Sequence, residues 1–265
     1  MVNLPLPLEA LHPALWRAHQ LGSARGAVSP SGFPELDLQL PGGGWPHRAL
    51  TELLLPHPGL GEMRLLAPML AAWAGRGAGV MLFDPPTAPC AWALAQLGLD
   101  ARQWLLVNSR DRRRGQGQPQ GRADSRVPRL LPSADLLWAL EQALKSGHAG
   151  AVLAWLPARL GADALRRLQL AAQAHDAPVF LLREPAAAQQ PSVAPLRLAL
   201  LPDGPDRLRL RLLKRRGPPL AQTLRLWLPP VLGSVADPGP GPDTPPPDKA
   251  PGTAVTPSVP PRVWS

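Results

Sequence analysis

Tyrosine is absent from the 265-residue chain, and cysteine occurs once, at Cys90. A single thiol excludes an internal disulfide framework and any zinc site built from clustered cysteines. Lysine is almost missing as well: only Lys145, Lys214 and Lys249 stand among 28 basic residues, and the others are arginine. GC-rich coding favours arginine over lysine whatever the function, so the net charge of +9 says less about partners than the places where it gathers. No apolar run reaches the roughly 18 residues that a membrane-spanning helix needs. The opening Met1-Val2-Asn3-Leu4 has neither a charged n-region nor a long apolar stretch, so no signal peptide is expected and a cytoplasmic location is the default.

Hydrophobic residues make up 45% of the chain, enough for one sizeable core. From Ser234 to Ser265 the composition changes, with ten prolines in 32 residues. Proline removes backbone donors, and this segment is read as a disordered Pro-rich tail over 233–265. A second polar stretch, 109–132, carries Arg110, Arg112, Arg113, Arg114, Arg122, Arg126 and Arg129 against Asp111 and Asp124, a local excess of +5. It is expected to be a loop insertion.

Between these segments strands and helices alternate. Helical spacing marks Leu8 to Leu21, within an N-terminal segment 1–27, and a short helix from Pro34 to Leu40. Strands are expected over Ala49–Leu55, Gly79–Phe83, Gln103–Val107, Ala149–Trp155 and Pro178–Leu182. Helices are expected over Gly61–Ala74, Pro89–Leu97, Ser133–Ser146 and Gly161–His175, with Pro89 in a first turn and Gly147 just past an end. Apolar strands without polar alternation predict an α/β domain over 28–232, a mostly parallel sheet flanked by helices. Val193–Leu201, Arg207–Leu213 and Thr223–Leu228 follow without intervening helices, as antiparallel strands at an edge.

In such a domain a phosphate would sit on the helix N-terminus after the first strand. The loop there, Pro56 to Arg64, fails the nucleotide pattern at three points. Pro56 stands at the first glycine and has no N–H to donate. Glu62 replaces the phosphate-binding lysine and would repel a triphosphate. Met63 replaces the magnesium-binding hydroxyl, and a thioether is a poor ligand for that hard cation. The segment reads either as an ordinary strand–turn–helix with Glu62 well placed on the helix dipole or, with Gly59 and Gly61, as a vestigial phosphate loop. The six histidines show no metal spacing with nearby acids, and no Gly-x-Ser-x-Gly elbow is present. Neither a cofactor, a metal, a small-molecule substrate nor catalysis is expected.

Ser31 to Leu53, with Leu36-Asp37 and Pro41-Gly-Gly-Gly-Trp45, resembles the entry to a RecA-like core. Gly79 to Asp84 resembles its second strand, and Ser146 to Trp155 its Walker B strand. Added to Leu11 to Gly22, Leu136 to Glu141 and Leu212-Leu-Lys214-Arg-Arg-Gly217, these pieces resemble the ImuA family across about residues 8–230. ImuA proteins are RecA-like, SulA-related accessory factors of bacterial damage-induced mutagenesis. The chain departs from an active RecA-type ATPase elsewhere too: Pro86 stands where the catalytic glutamate is expected, and no acid lies between Ala149 and Arg159.

The resemblance implies a non-catalytic role in the SOS response and error-prone translesion synthesis. It implies binding to ImuB, an inactive Y-family polymerase relative, with DnaE-type polymerase, RecA and DNA as further partners. The SulA relationship leaves a cell-division inhibitor acting on FtsZ as an alternative, and a divergent ATPase is another. Contact surfaces would then carry the function. Arg207, Arg209 and Arg211 alternate with Leu208, Leu210 and Leu212, and Lys214, Arg215 and Arg216 extend them, so a basic edge is expected, either facing nucleic acid or a partner or solvated as a guard against edge-to-edge aggregation. No aromatic is interleaved with that run. Trp73, Trp92, Trp138 and Trp155 are assigned to the core.

Overall fold

A computed structural model describes residues 26–109, 134–216 and 223–230. The expected N-terminal helix, the Arg110–Arg129 loop and the Pro-rich tail lie outside the described residues. The strands are β1 (Val28–Ser29), β2 (Trp45–Pro46), β3 (Leu50–Leu54), β4 (Val80–Phe83), β5 (Trp104–Val107), β6 (Ala151–Trp155), β7 (Val179–Arg183), β8 (Leu196–Pro202), β9 (Arg207–Lys214) and β10 (Leu224–Trp227). The helices are α1 (Pro34–Asp37), α2 (Glu62–Ala74), α3 (Ala91–Gln96), α4 (Ala134–Ser146) and α5 (Ala162–Gln173).

Eight strands form one sheet in the order β10-β9-β8-β3-β7-β6-β4-β5. From β8 to β5 every neighbouring pair is parallel, whereas β9 pairs antiparallel with both β8 and β10. The expected mixed α/β architecture with its antiparallel extension is therefore present. Helices on both faces explain why β3 and β7 are buried at every position. Leu36 of α1, Leu65, Leu66 and Leu70 of α2, and Leu94 of α3 pack on one face with Trp45 and Phe180. Leu136, Leu140 and Leu144 of α4 and Leu165 and Leu168 of α5 pack on the other.

Several local expectations need correction. The Pro34 helix stops at Asp37, whose carboxylate accepts from the Ser31 amide at 2.9 Å. Cys90 caps α3, so Pro89 lies before the helix rather than in its first turn. Trp92 and Trp138 are surface residues, 55% and 65% exposed. The apolar stripe of α4 runs through Leu136, Leu137, Leu140 and Leu144, and Trp138 falls on its opposite side. The two-residue pairing of β1 with β2 has no counterpart in the sequence reading. Among the described residues, no helix is long and apolar enough to cross a membrane.

His175, just after α5, is fully buried. Burial lowers its pKa from the ordinary 6.5, against a smaller opposing pull from Asp176. His47 is lowered by burial too, with Asp176 again opposing. The unfolded chain therefore takes up protons first as pH falls. Stability is complete above about pH 6.5 and declines as pH drops through that value toward the lower folded-state value. Urea midpoints should fall between about pH 7 and 5, and His175→Gln should flatten that dependence.

Candidate functional site

The β3–α2 junction carries Pro56, Gly59, Gly61, Glu62 and Met63, the segment compared above with a phosphate loop. Pro56 and Gly59 are exposed, while Gly61 and Glu62 are buried. Gly61 caps α2 with a φ of +124°, a conformation that a side chain would strain. Glu62 turns back over the loop: its Oε1 accepts from the Gly59 amide at 2.7 Å and its Oε2 from the Gly61 amide at 3.1 Å. These are the amides and the helix N-terminus that an anion would use. The chain thus places its own carboxylate there. Met63 is half-buried against the apolar core instead of facing a metal position.

The far end of the described chain closes the same junction. A Cβ on Gly61 would lie 2.7 Å from Leu228 Cδ1. Arg64, one turn into α2, donates to the carbonyls of Pro229, Leu228 and Pro205 at 2.8, 3.0 and 3.2 Å, and to the Asp206 carboxylate at 2.5 Å. One guanidinium therefore ties α2 to the residues beyond β10 and to the β8–β9 turn. Arg64 stood in the loop as read from sequence, but its partners are more than 140 residues away.

Trp155, which the resemblance places at a Walker B position, ends β6 half-buried. At the end of β4, Asp84 has a φ of +47°. Its carboxylate accepts from the Ser109 amide at 2.7 Å and from the Ser109 hydroxyl at 2.6 Å, joining the ends of β4 and β5. No arrangement of three His, Cys, Asp or Glu side chains suited to a metal occurs among the described residues.

The basic run is not the edge of the sheet: β10 is, and β9 lies inside it. Leu208, Leu210 and Leu212 face the core, as expected from period two. Arg207, Arg209 and Arg211 face the other way. The six cations do not make one ridge, however. Lys214 donates to the Ser192 carbonyl at 2.8 Å, and Arg215 to the Gln39 carbonyl at 2.6 Å, while Arg216 is exposed. Instead β10 adds to the arginine face. Arg225 lies directly across from Arg209, and Trp227 across from Arg207. The Arg207 guanidinium sits 5.3 Å from the Trp227 ring centroid, and this indole is 70% exposed. The aromatic that the linear run lacks is supplied by pairing.

Sequence reading also missed a buried ion triad. Glu52 of β3 accepts from Arg183 of β7 at 2.8 Å and from Arg197 of β8 at 2.5 Å. The Glu52 and Arg183 side chains have no exposure at all. Ser192 donates to Glu52 at 2.9 Å, and both arginines also donate to carbonyls, including those of Ala158 and Ala187. Desolvation lowers the Arg183 pKa, with Glu52 opposing. Only the acid at the centre of a strand with no other charge hinted at this arrangement.

No family model matches the chain, and no curated protein matches it either.

Proposed function

We propose that this chain is a non-catalytic, RecA-like accessory protein of the DNA-damage response. On this reading it acts in error-prone translesion synthesis, recruiting an ImuB-type polymerase homologue, with DnaE-type polymerase, RecA and DNA as further partners. The observation that carries the non-catalytic part is the Glu62 carboxylate bonded to the Gly59 and Gly61 amides. A nucleotide phosphate would have to displace a like charge already in place. Leu228 against Gly61 narrows the same space.

The parallel order β8-β3-β7-β6-β4-β5, with the loop strand β3 inside the sheet, supports a RecA-like core. The choice of partners comes from the sequence resemblance. A protein without a nucleotide cycle would act through surfaces, and the exposed arginine face of β9 and β10 is one such surface.

Two measurements test this reading. Titration of the purified chain with ATP and magnesium should give no heat of binding and no hydrolysis; turnover would instead make it a divergent ATPase. A tagged copy recovered from DNA-damaged cells should bring down the ImuB-type partner. Recovery of FtsZ without that partner would move the chain to cell-division control.

A further inference from the structure

The β9–β10 face combines an excess of cations with one open aromatic ring. Alternate residues along a strand lie about 6–7 Å apart, and adjacent strands about 4.8 Å. Arg207, Arg209 and Arg211 therefore form a row, with Arg225 and Trp227 beside it in register. On β8, Ala199 opposite Arg211 and Leu201 opposite Arg209 leave the row flanked by small or apolar side chains. Like charges directly opposite in a sheet are destabilising. Arg209 and Arg225 are such a pair, and one carboxylate, Asp203, serves both at 3.6 and 3.5 Å. The neighbouring Asp206 is held by Arg64 on another element. Among the described residues, Asp203 is the acid paired with this face and meets two of its four arginines, so an anionic occupant would relieve the excess.

The indole narrows the class of anion. Trp227 stands on the arginine face instead of the core, where Leu226 and Leu228 point, and Arg207 backs its ring. A flat, exposed ring beside a row of guanidiniums suits a chain of phosphates that carries flat bases. A duplex keeps its base faces stacked inside, so only an unpaired strand could use the indole. A run of aspartates and glutamates would satisfy the arginines but would leave the ring unused, whereas every nucleotide carries both a phosphate and a flat base.

We propose that the β9–β10 face binds single-stranded DNA, with Trp227 stacking on a base and Arg207, Arg209, Arg211 and Arg225 contacting phosphates. The choice of DNA over RNA rests on the function proposed above; the single-strand mode rests on the face itself.

The test is fluorescence anisotropy of labelled oligothymidylate with the full chain. Binding should weaken steeply between about 50 and 200 mM salt. Trp227→Ala should weaken it about tenfold, and Trp227→Phe should restore most of the loss. Because Trp227 is exposed, both variants should keep the parent melting temperature, which separates lost contact from lost fold. Replacing Arg207, Arg209 and Arg225 by alanine should reduce the slope of log K against log salt by about 0.7 per arginine.

Unchanged affinity in Trp227→Ala overturns the proposal. So does displacement by polyglutamate as effective as by unlabelled strand, or equal affinity for duplex DNA; equal affinity for oligouridylate overturns the choice of DNA while the single-strand mode stands. Recovery of the ImuB-type partner is scored on the same variants. Loss of DNA binding by the parent with recovery intact overturns this face alone, and the reverse overturns the accessory-protein reading alone.

Discussion

Glu52→Ala should be the most damaging single substitution in the sheet, costing about 3–5 kcal/mol of folding stability. The change removes the carboxylate that is bonded to two buried guanidiniums. Arg183 has no exposed side-chain surface and Arg197 only 9%, so neither can regain water without opening the sheet. The loss is the cost of stranded charge, not the net worth of the ion pairs. That distinction predicts a second result. Replacing Glu52, Arg183 and Arg197 together by leucine or methionine should recover most of the stability, because all the desolvation costs leave at once. Urea unfolding of the single and triple variants checks both claims. A triple variant as unstable as Glu52→Ala would mean that the arginine bonds to the Ala158 and Ala187 carbonyls, not the charges, hold this region together.

The triad also marks the boundary of what the chain's local patterns reveal. Unbroken apolar runs such as Val179–Leu182 announce buried parallel strands, and the alternation from Arg207 to Leu212 announces a half-covered one. Those signals are short-range, and the structure agrees with them. The order of strands is not short-range: β3 meets β7 and β8 through partners 131 and 145 residues distant, which no periodicity encodes. The candidate surface was half legible for the same reason. The arginines of β9 lie together in sequence, but Arg225 and Trp227 reach them only through the β9–β10 register. Trp138 failed in the opposite direction, since its hydrophobicity outweighed its place on the polar side of α4. The departures from a nucleotide-binding pattern at Pro56, Glu62 and Met63 can be read from the sequence alone. What those departures could not reveal was that Glu62 folds back to fill the space.

That filling can be undone. Glu62→Ala removes two charge-assisted hydrogen bonds and leaves the Gly61 amide buried without its acceptor, at a helix N-terminus that favours negative charge. A stability loss of about 2–4 kcal/mol is expected. If the carboxylate stands in for a lost phosphate, then an external anion should substitute for it. Millimolar sulfate or phosphate should raise the melting temperature of Glu62→Ala well above the effect of sodium chloride at equal ionic strength. The parent chain should show only the general stabilisation that surface-excluded anions give folded proteins. Glu62→Gln keeps the shape and one acceptor oxygen, so it should lose less stability and gain less from sulfate. ATP should not share in the rescue, because Pro56 still lacks an amide and Leu228 still lies against Gly61. Calorimetric binding of ATP to Glu62→Ala would mean that this one carboxylate, and not the whole loop, closes the site. Sulfate acting equally on parent and variant would instead make Glu62 an ordinary helix cap, and the kinship of this loop with phosphate-binding loops would lose its physical basis.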